Sequence, residues 1–318
     1  RGFMKLVSLL PSATDIVARL GLEPHLVGIS HECDYPESIT HLPRVTSSSV
    51  KVDGTSGSIH ESVQKLLEKA LTVYDLDVEK LKELQPDYLI TQDLCDVCAV
   101  SFDQVETACR EVLDHDTKII SLHPHRLEDV WEDVQRVGET LGATEAAESF
   151  RKDIQQRIEF IRQRVPAGGH SKPEVLTIEW FDPFFIGGMW VPEMIEIVGG
   201  ATLLAAAGKK ARSLAKEQLS DINPDVVVVK PCGYSLEKTL AEFEDLKKNL
   251  PWKNWNASRN HKIYLVDGNT YFNRPGPRIM DSLEILAFCV HPEGFPEFGE
   301  KYHKGMIRLE PQFRLPGS

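Results

Sequence analysis

Cys95 and Cys98, separated by two residues, give this sequence its sharpest chemical signal. Thiolates at that spacing can share a metal ion or a disulfide, so metal ligation, redox exchange and nucleophilic attack are the chemistries open to them. His31, Glu32 and Cys33 end a neighbouring apolar run. A metal set of Cys95, Cys98 and His31 therefore stands beside packed or merely site-lining thiols as an alternative. No second C-x-x-C follows, and no H-x-E precedes a Pro-Cys-x-x-Cys, so the zinc deaminase pattern fails. G-x-G-x-x-G, the P-loop, G-x-S-x-G and H-E-x-x-H are all missing. A binding role without catalysis is expected. The alternative function is a cytoplasmic thiol- or metal-dependent enzyme using Cys95 and Cys98 with His31 and Glu32.

The elements that must position these residues alternate between strand and helix. Lys5 to Leu10 is a short strand, and a helix opening at Pro11 runs through Leu20 to Gly21. His25 to Ser30 is a strand that delivers His31 to Pro36 at its carboxyl end, where α/β sheets place ligands. Tyr88 to Thr91 does the same for Gln92 to Cys98. The pattern then repeats. Leu84-Gln85-Pro86-Asp87-Tyr88-Leu89-Ile90 is echoed by Ile222-Asn223-Pro224-Asp225-Val226-Val227-Val228, Pro11 to Val17 by Pro192 to Val198, and Lys118-Ile119-Ile120 by Lys262-Ile263-Tyr264, in the same order. Each match alone is ordinary turn or helix-start chemistry, but three in order imply two copies of one α/β unit. Between the copies, Ala147, Phe150, Ile154, Ile158, Ile161 and Val165 mark one face of a long helix from Ala143 to Val165, with Thr144 as its expected N-cap. The expected boundaries are an N-terminal lobe over 4–142, a bridging helix over 143–166, a C-terminal lobe over 167–298 and a tail over 299–318.

Composition sets the class. The 318 residues are 42% hydrophobic and 26% charged, enough for a sizeable core in two lobes. A net charge of −12 argues against nucleic acid or an anionic membrane as the main partner. No apolar run is long enough to span a bilayer, so no membrane insertion is expected. Six cysteines in a chain of this length, with no signal-peptide pattern at its start, lead to the expectation of a cytoplasmic protein with reduced thiols.

Val7-Ser8-Leu9-Leu10-Pro11-Ser12-Ala13-Thr14, Val27 to Pro36, the two Pro-Asp strands and Arg274-Pro275-Gly276-Pro277-Arg278 resemble the cobalamin and iron-chelate substrate-binding proteins of bacterial ABC importers. The resemblance covers about residues 5 to 290, and Thr91 to Val100 matches a cobalamin-binding-like branch. It implies two Rossmann-like lobes joined by one long backbone helix, the class III periplasmic-binding-protein arrangement. The ligand expected is cobalamin, a related corrinoid or another metal chelate, held in the interlobe cleft. No cofactor is required beyond such a bound corrinoid or metal ion.

Residues at the carboxyl ends of strands should meet that ligand: Glu32, Tyr35, Gln92, Cys95 and Cys98 in one lobe, Glu179 to Phe185 and Asn269 to Arg278 in the other. A flat macrocycle calls for aromatic faces and a few polar groups. Trp180, Phe181, Phe184, Phe185, Trp190, Tyr271 and Phe272 supply the faces, with Arg274 and Arg278 as donors. Core packing is the other reading of these aromatics, since Trp180 and Trp190 flank Gly187-Gly188. By resemblance, Phe185 falls near a ligand-stacking aromatic and Arg274 near a polar contact. Glu79 and Glu217 each precede a Pro-Asp turn by seven residues to the proline. In the importer family one glutamate per lobe docks onto arginines of the permease, which makes an ABC permease the implied partner of a monomeric chain.

Overall fold

The computed structural model describes residues 3–50, 53–68, 74–94, 102–113, 116–166 and 172–310. The chain divides into two compact units, one of Arg1–Pro124 with Glu128–Lys152 and one of His125–Leu127 with Asp153–Ser318.

The first unit begins with β1 (Leu6–Ser8), α1 (Pro11–Arg19) and β2 (Leu26–Ile29). It continues through β3 (Thr46–Ser48), α2 (Ser56–Glu68), β4 (Tyr74–Leu76), α3 (Val78–Leu84), β5 (Tyr88–Gln92), α4 (Phe102–Val112) and β6 (Lys118–Leu122). Its parallel sheet runs β2-β1-β5-β6. β1 is central and buried at all three positions, as a strand covered on both faces must be. Val7, Leu9, Val45, Leu81, Leu89 and Val105 pack one face of this sheet. α3 starts at Val78, after Tyr74–Leu76 has paired antiparallel with Thr46–Ser48 as a separate ribbon. Asp77 caps that helix by accepting from Lys80 N at 2.9 Å.

α5 (Leu127–Thr140) and α6 (Thr144–Arg164) follow. Thr144, expected as a cap, is the first residue of α6 itself. Ala147, Phe150, Ile154 and Ile161 are buried as the spacing predicts. α6 closes on α5 at Gly138, where an added Cβ would sit 2.6 Å from Ala147 Cβ. The helix is shared: Thr144–Lys152 belongs to the first unit, where Phe150 meets Trp131 edge-on, and the rest belongs to the second. There Arg157 binds Asp281 at 3.1 Å and Glu284 at 2.7 Å.

The second unit contains β7 (Glu174–Trp180), β8 (Phe184–Ile186), α7 (Val191–Ile197), β9 (Ala201–Thr202), β10 (Arg212–Leu214), α8 (Lys216–Ser220), β11 (Val226–Val229) and α9 (Leu236–Asn249). α10 (Asn256–Arg259), β12 (Ile263–Val266), α11 (Ile279–Val290), α12 (Pro296–Lys301) and β13 (Met306–Arg308) complete it. Its parallel core, β9-β7-β11-β12, repeats the order of the first sheet. Four successive valines make β11 an all-buried central strand. β8 and β10 extend the β7 edge antiparallel, and β13, in the stretch read from sequence as a tail, adds antiparallel to β12.

The Pro-Asp repeat has one physical role in both units. Asp87 N donates to Lys5 O at 2.9 Å while Asp87 Oδ2 accepts from Lys5 N at 2.7 Å. Asp225 N donates to Glu174 O at 2.8 Å and Asp225 Oδ2 accepts from Glu174 N at 2.9 Å. Each aspartate thus closes a two-bond clip on the start of the strand beside it, satisfying groups the ladder leaves open.

Candidate functional site

In the first unit the candidates gather where β1, β2 and β5 end. The polar β3–β4 ribbon is what organises them. Thr46 Oγ1 accepts from His31 N at 3.0 Å, contacts His31 Nδ1 at 2.8 Å and donates to Ser30 Oγ at 3.1 Å. With its proton given to Ser30, Thr46 is an acceptor for Nδ1–H, which leaves the lone pair of His31 on Nε2. Burial lowers the His31 pKa, Glu32 opposes that and Arg44 adds to it, so the ring is neutral at neutral pH. Tyr74 packs against the imidazole at 5.3 Å and donates its hydroxyl to Glu32 Oε1 at 2.9 Å. Tyr35 is 46% exposed. Gln92, the last residue of β5, is 5% exposed, and its Oε1 has no hydrogen-bond partner among the described residues. Cys95 and Cys98 lie outside the described residues, and among those described no group of three or more His, Cys, Asp or Glu is arranged to hold a metal ion.

In the second unit the ends of β7, β11 and the loop after β12 converge. Glu179 Oε2 accepts from Lys230 Nζ at 2.8 Å, and Asn273 Oδ1 accepts from the same ammonium at 3.2 Å. Asn273 Nδ2 returns to Lys230 O and Gly268 O, tying the last loop to β11. Trp180 and Phe181 both meet the Tyr234 ring edge-on, at 5.2 and 6.0 Å. Burial, with Glu242 accepting its hydroxyl at 2.8 Å, pushes the Tyr234 pKa far up and keeps it neutral.

The seven aromatics divide. Phe181, Phe184, Trp190 and Phe272 are buried, and Trp190 Nε1 donates to Phe272 O at 2.8 Å, so these four pack the unit. Trp180, Phe185 and Tyr271 stay half-buried, Trp180 beside Tyr234 and Tyr271 edge-on to the Tyr302 ring at 5.8 Å. Arg274 is buried, with Nε donating to Asn269 O at 2.6 Å, while Arg278 is half-buried and leads into α11. Glu79 and Glu217 are exposed and occupy the second position of α3 and of α8, each in the first turn.

Sequence reading missed Lys230, Tyr234 and the Thr46–Tyr74 ribbon. The signal for Lys230 was present: a lysine placed directly after four buried valines has no water to reach and must find a partner.

Residues 6–270 match the profile of a family described as Periplasmic binding protein. The chain belongs to that family. Among its relatives is an uncharacterised ABC transporter substrate-binding lipoprotein, YvrC, of Bacillus subtilis, 22% identical over 92% of this chain and 82% of the relative. The vitamin B12-binding protein of Vibrio cholerae is 20% identical over 89% of this chain and 87% of its own length. A periplasmic haem-binding protein from Pseudomonas aeruginosa superposes with a TM-score of 0.68 at 19% identity, covering 91% of this chain and 93% of that one, which fixes the fold. The mixed α/β fold of the class III periplasmic-binding-protein type is therefore the observed one. These relatives are named as binding proteins, not enzymes. The expectation of a cytoplasmic protein is overturned, because the family is periplasmic and YvrC is a lipoprotein of a transporter. A start without a recognisable leader carried that expectation, and it was no guide to compartment.

Proposed function

We propose that this chain is the substrate-binding component of an ABC importer and that its ligand is a metal chelate with a broad flat face, with cobalamin or a related corrinoid as the leading candidate. The observation that carries the reading is the half-buried pair Trp180 and Phe185, opposite each other across β7 and β8, together with the Glu179–Lys230–Asn273 cluster at the carboxyl ends of the second unit's parallel strands. Aromatic faces bury an apolar ring, and a few fixed polar groups orient its arms. The vitamin B12-binding and haem-binding relatives support the same ligand class.

Within the first unit, Glu32, Tyr35 and Gln92 are the candidate ligand contacts, and His31, with its lone pair on Nε2, would be a group able to hold a chelated metal. Cys95 and Cys98 remain candidates for the same ligand. Glu79 and Glu217 are proposed to dock onto basic residues of a permease, since their matching place on two short helices gives one exposed carboxylate per unit.

Titration calorimetry with cyanocobalamin, cobinamide, haemin and a ferric siderophore tests the reading. Binding of one of these, weakened about tenfold or more by Phe185→Ala or Tyr271→Ala, is expected. Binding of none, or affinity indifferent to both substitutions, would sink it.

A further inference from the structure

β7 and β8 lose register just before the site. Ile178 stands opposite Ile186 and Trp180 opposite Phe185, so Glu179 is an extra residue on the β7 side. A bulge of this kind breaks the alternation of side chains and re-aims those that follow it. Trp180 is also the last residue of β7, and it is only half-buried. Strand pairing therefore places its backbone but leaves the direction of its indole to side-chain neighbours.

Tyr234 is such a neighbour, and it is itself held from several sides. Its ring meets the Trp180 indole edge-on, with centroids 5.2 Å apart and planes at 69°, and meets the Phe181 ring at 6.0 Å and 89°. Tyr234 N donates to Pro231 O at 3.1 Å, and Tyr234 O accepts from Asn269 N at 2.9 Å. The hydroxyl donates to Glu242 Oε1 at 2.8 Å, and Lys238 Nζ stands over the ring, 4.2 Å from its centroid. Lys238 is fixed in turn at the start of α9, where Ser235 Oγ accepts from its N–H at 3.2 Å. The loop after β11, the turn after β12 and α9 thus converge on one ring, which makes it a rigid reference against which an adjacent aromatic is set.

We propose that Tyr234 is a positioning residue of the ligand site, which acts through Trp180 by holding the indole in the orientation that meets a flat ligand. Tyr234 is 2% exposed and offers a ligand almost no surface of its own, so its effect on binding passes through the ring beside it. A side chain that must be ordered when the ligand arrives weakens binding, and an indole already set by Tyr234 avoids that loss. The inference rests on the binding-protein reading above, and its test separates the two.

Tyr234→Leu removes the ring, whereas Tyr234→Phe keeps it and loses only the bond to Glu242. The difference in near-ultraviolet circular dichroism between the wild type and Trp180→Phe isolates the Trp180 band. That difference should be largely lost in a Tyr234→Leu background and kept in a Tyr234→Phe background. Its persistence in Tyr234→Leu overturns the proposal. If Tyr234→Leu does not fold, Tyr234→Met fills more of the space without supplying a ring and takes its place. Titration calorimetry with cyanocobalamin and haemin then closes a double-mutant cycle. Tyr234→Leu should weaken binding about three- to tenfold where Trp180 is present and leave it nearly unchanged in a Trp180→Ala background. An equal loss in both backgrounds makes Tyr234 a packing residue alone and overturns the proposal. If neither chelate binds the wild type while the dichroism difference still depends on Tyr234, the proposed function falls and the setting of Trp180 by Tyr234 stands.

Discussion

Lys230 Nζ lies 2.8 Å from Glu179 Oε2, with the lysine side chain 0% exposed and the glutamate 24%. The two charges are unequally dependent on each other. Glu179 can turn to water, whereas the buried ammonium has, beside it among the described residues, Asn273 Oδ1 and the face of the Phe272 ring, 5.8 Å away. Glu179→Ala is therefore expected to cost about 3–5 kcal/mol, the penalty of a buried charge that has lost its partner. Lys230→Met keeps most of the stem volume and removes the charge, so it should cost clearly less. Urea unfolding of both variants measures this; equal costs would mean that water already reaches the ammonium.

The aspartate clips make a second prediction. Asp87→Ala and Asp225→Ala each remove a charge-assisted bond to a strand-start N–H, and each should destabilise by about 1.5–3 kcal/mol. Asp225 also accepts from Asn256 Nδ2 at 3.1 Å, so its replacement frees a further donor. Denaturation midpoints report the losses, and unchanged midpoints would show the clips to be incidental to stability.

The Pro-Asp turns were legible in the sequence as a repeated entry to a buried strand, but the two-bond clip each aspartate makes was not, since its partner strand lies far away along the chain. The long helix and the four-valine strand were legible for a related reason, since their periodicities of 3.6 residues and of unbroken apolarity are set by burial alone. The β3–β4 ribbon was not. Thr46-Ser47-Ser48 and Tyr74-Asp75-Leu76 are short and polar, and their pairing spans a long separation that no local pattern reports. That ribbon supplies Thr46 and Tyr74 to His31 and Glu32, so its omission hid the side chains that fix those two candidates. Among the aromatics, composition could not separate Trp180 and Phe185 from Phe184 and Trp190, because packing neighbours decide which rings keep an open face.

Histidine titration supplies a third prediction. Burial lowers the pKa of His31, with Arg44 adding to it against Glu32, and burial lowers that of His291, with Lys262 adding to it against the carbonyl of Val198 at 2.8 Å. A lowered folded value means that the unfolded chain takes up protons first as pH falls. Stability should therefore decline as pH drops below about 6.5, the ordinary histidine value, until the folded groups also protonate. His31→Gln and His291→Gln should each flatten the stability profile in that window. A wild-type profile already flat between neutrality and pH 5 would contradict the sign.

The same reasoning runs in the opposite direction at Glu284. Burial alone would raise its carboxyl, but hydrogen bonds from Lys301 at 2.8 Å and from Tyr302, together with Arg157 at 2.7 Å, outweigh it and hold the pKa below the usual value. A depressed folded value contributes stability above the unfolded pKa, and that contribution is lost as pH falls through the folded one. Arg157→Met deletes the α6 side of this network while leaving Lys301 and Tyr302 in place. The Glu284 carboxyl should then titrate at higher pH, so acid unfolding of the variant should begin at higher pH than in the wild type. Glu284→Gln cannot ionise, and in that background Arg157→Met should shift the acid limb less. An equal shift in both backgrounds would assign the effect to Asp281, the other carboxylate that Arg157 touches, at 3.1 Å.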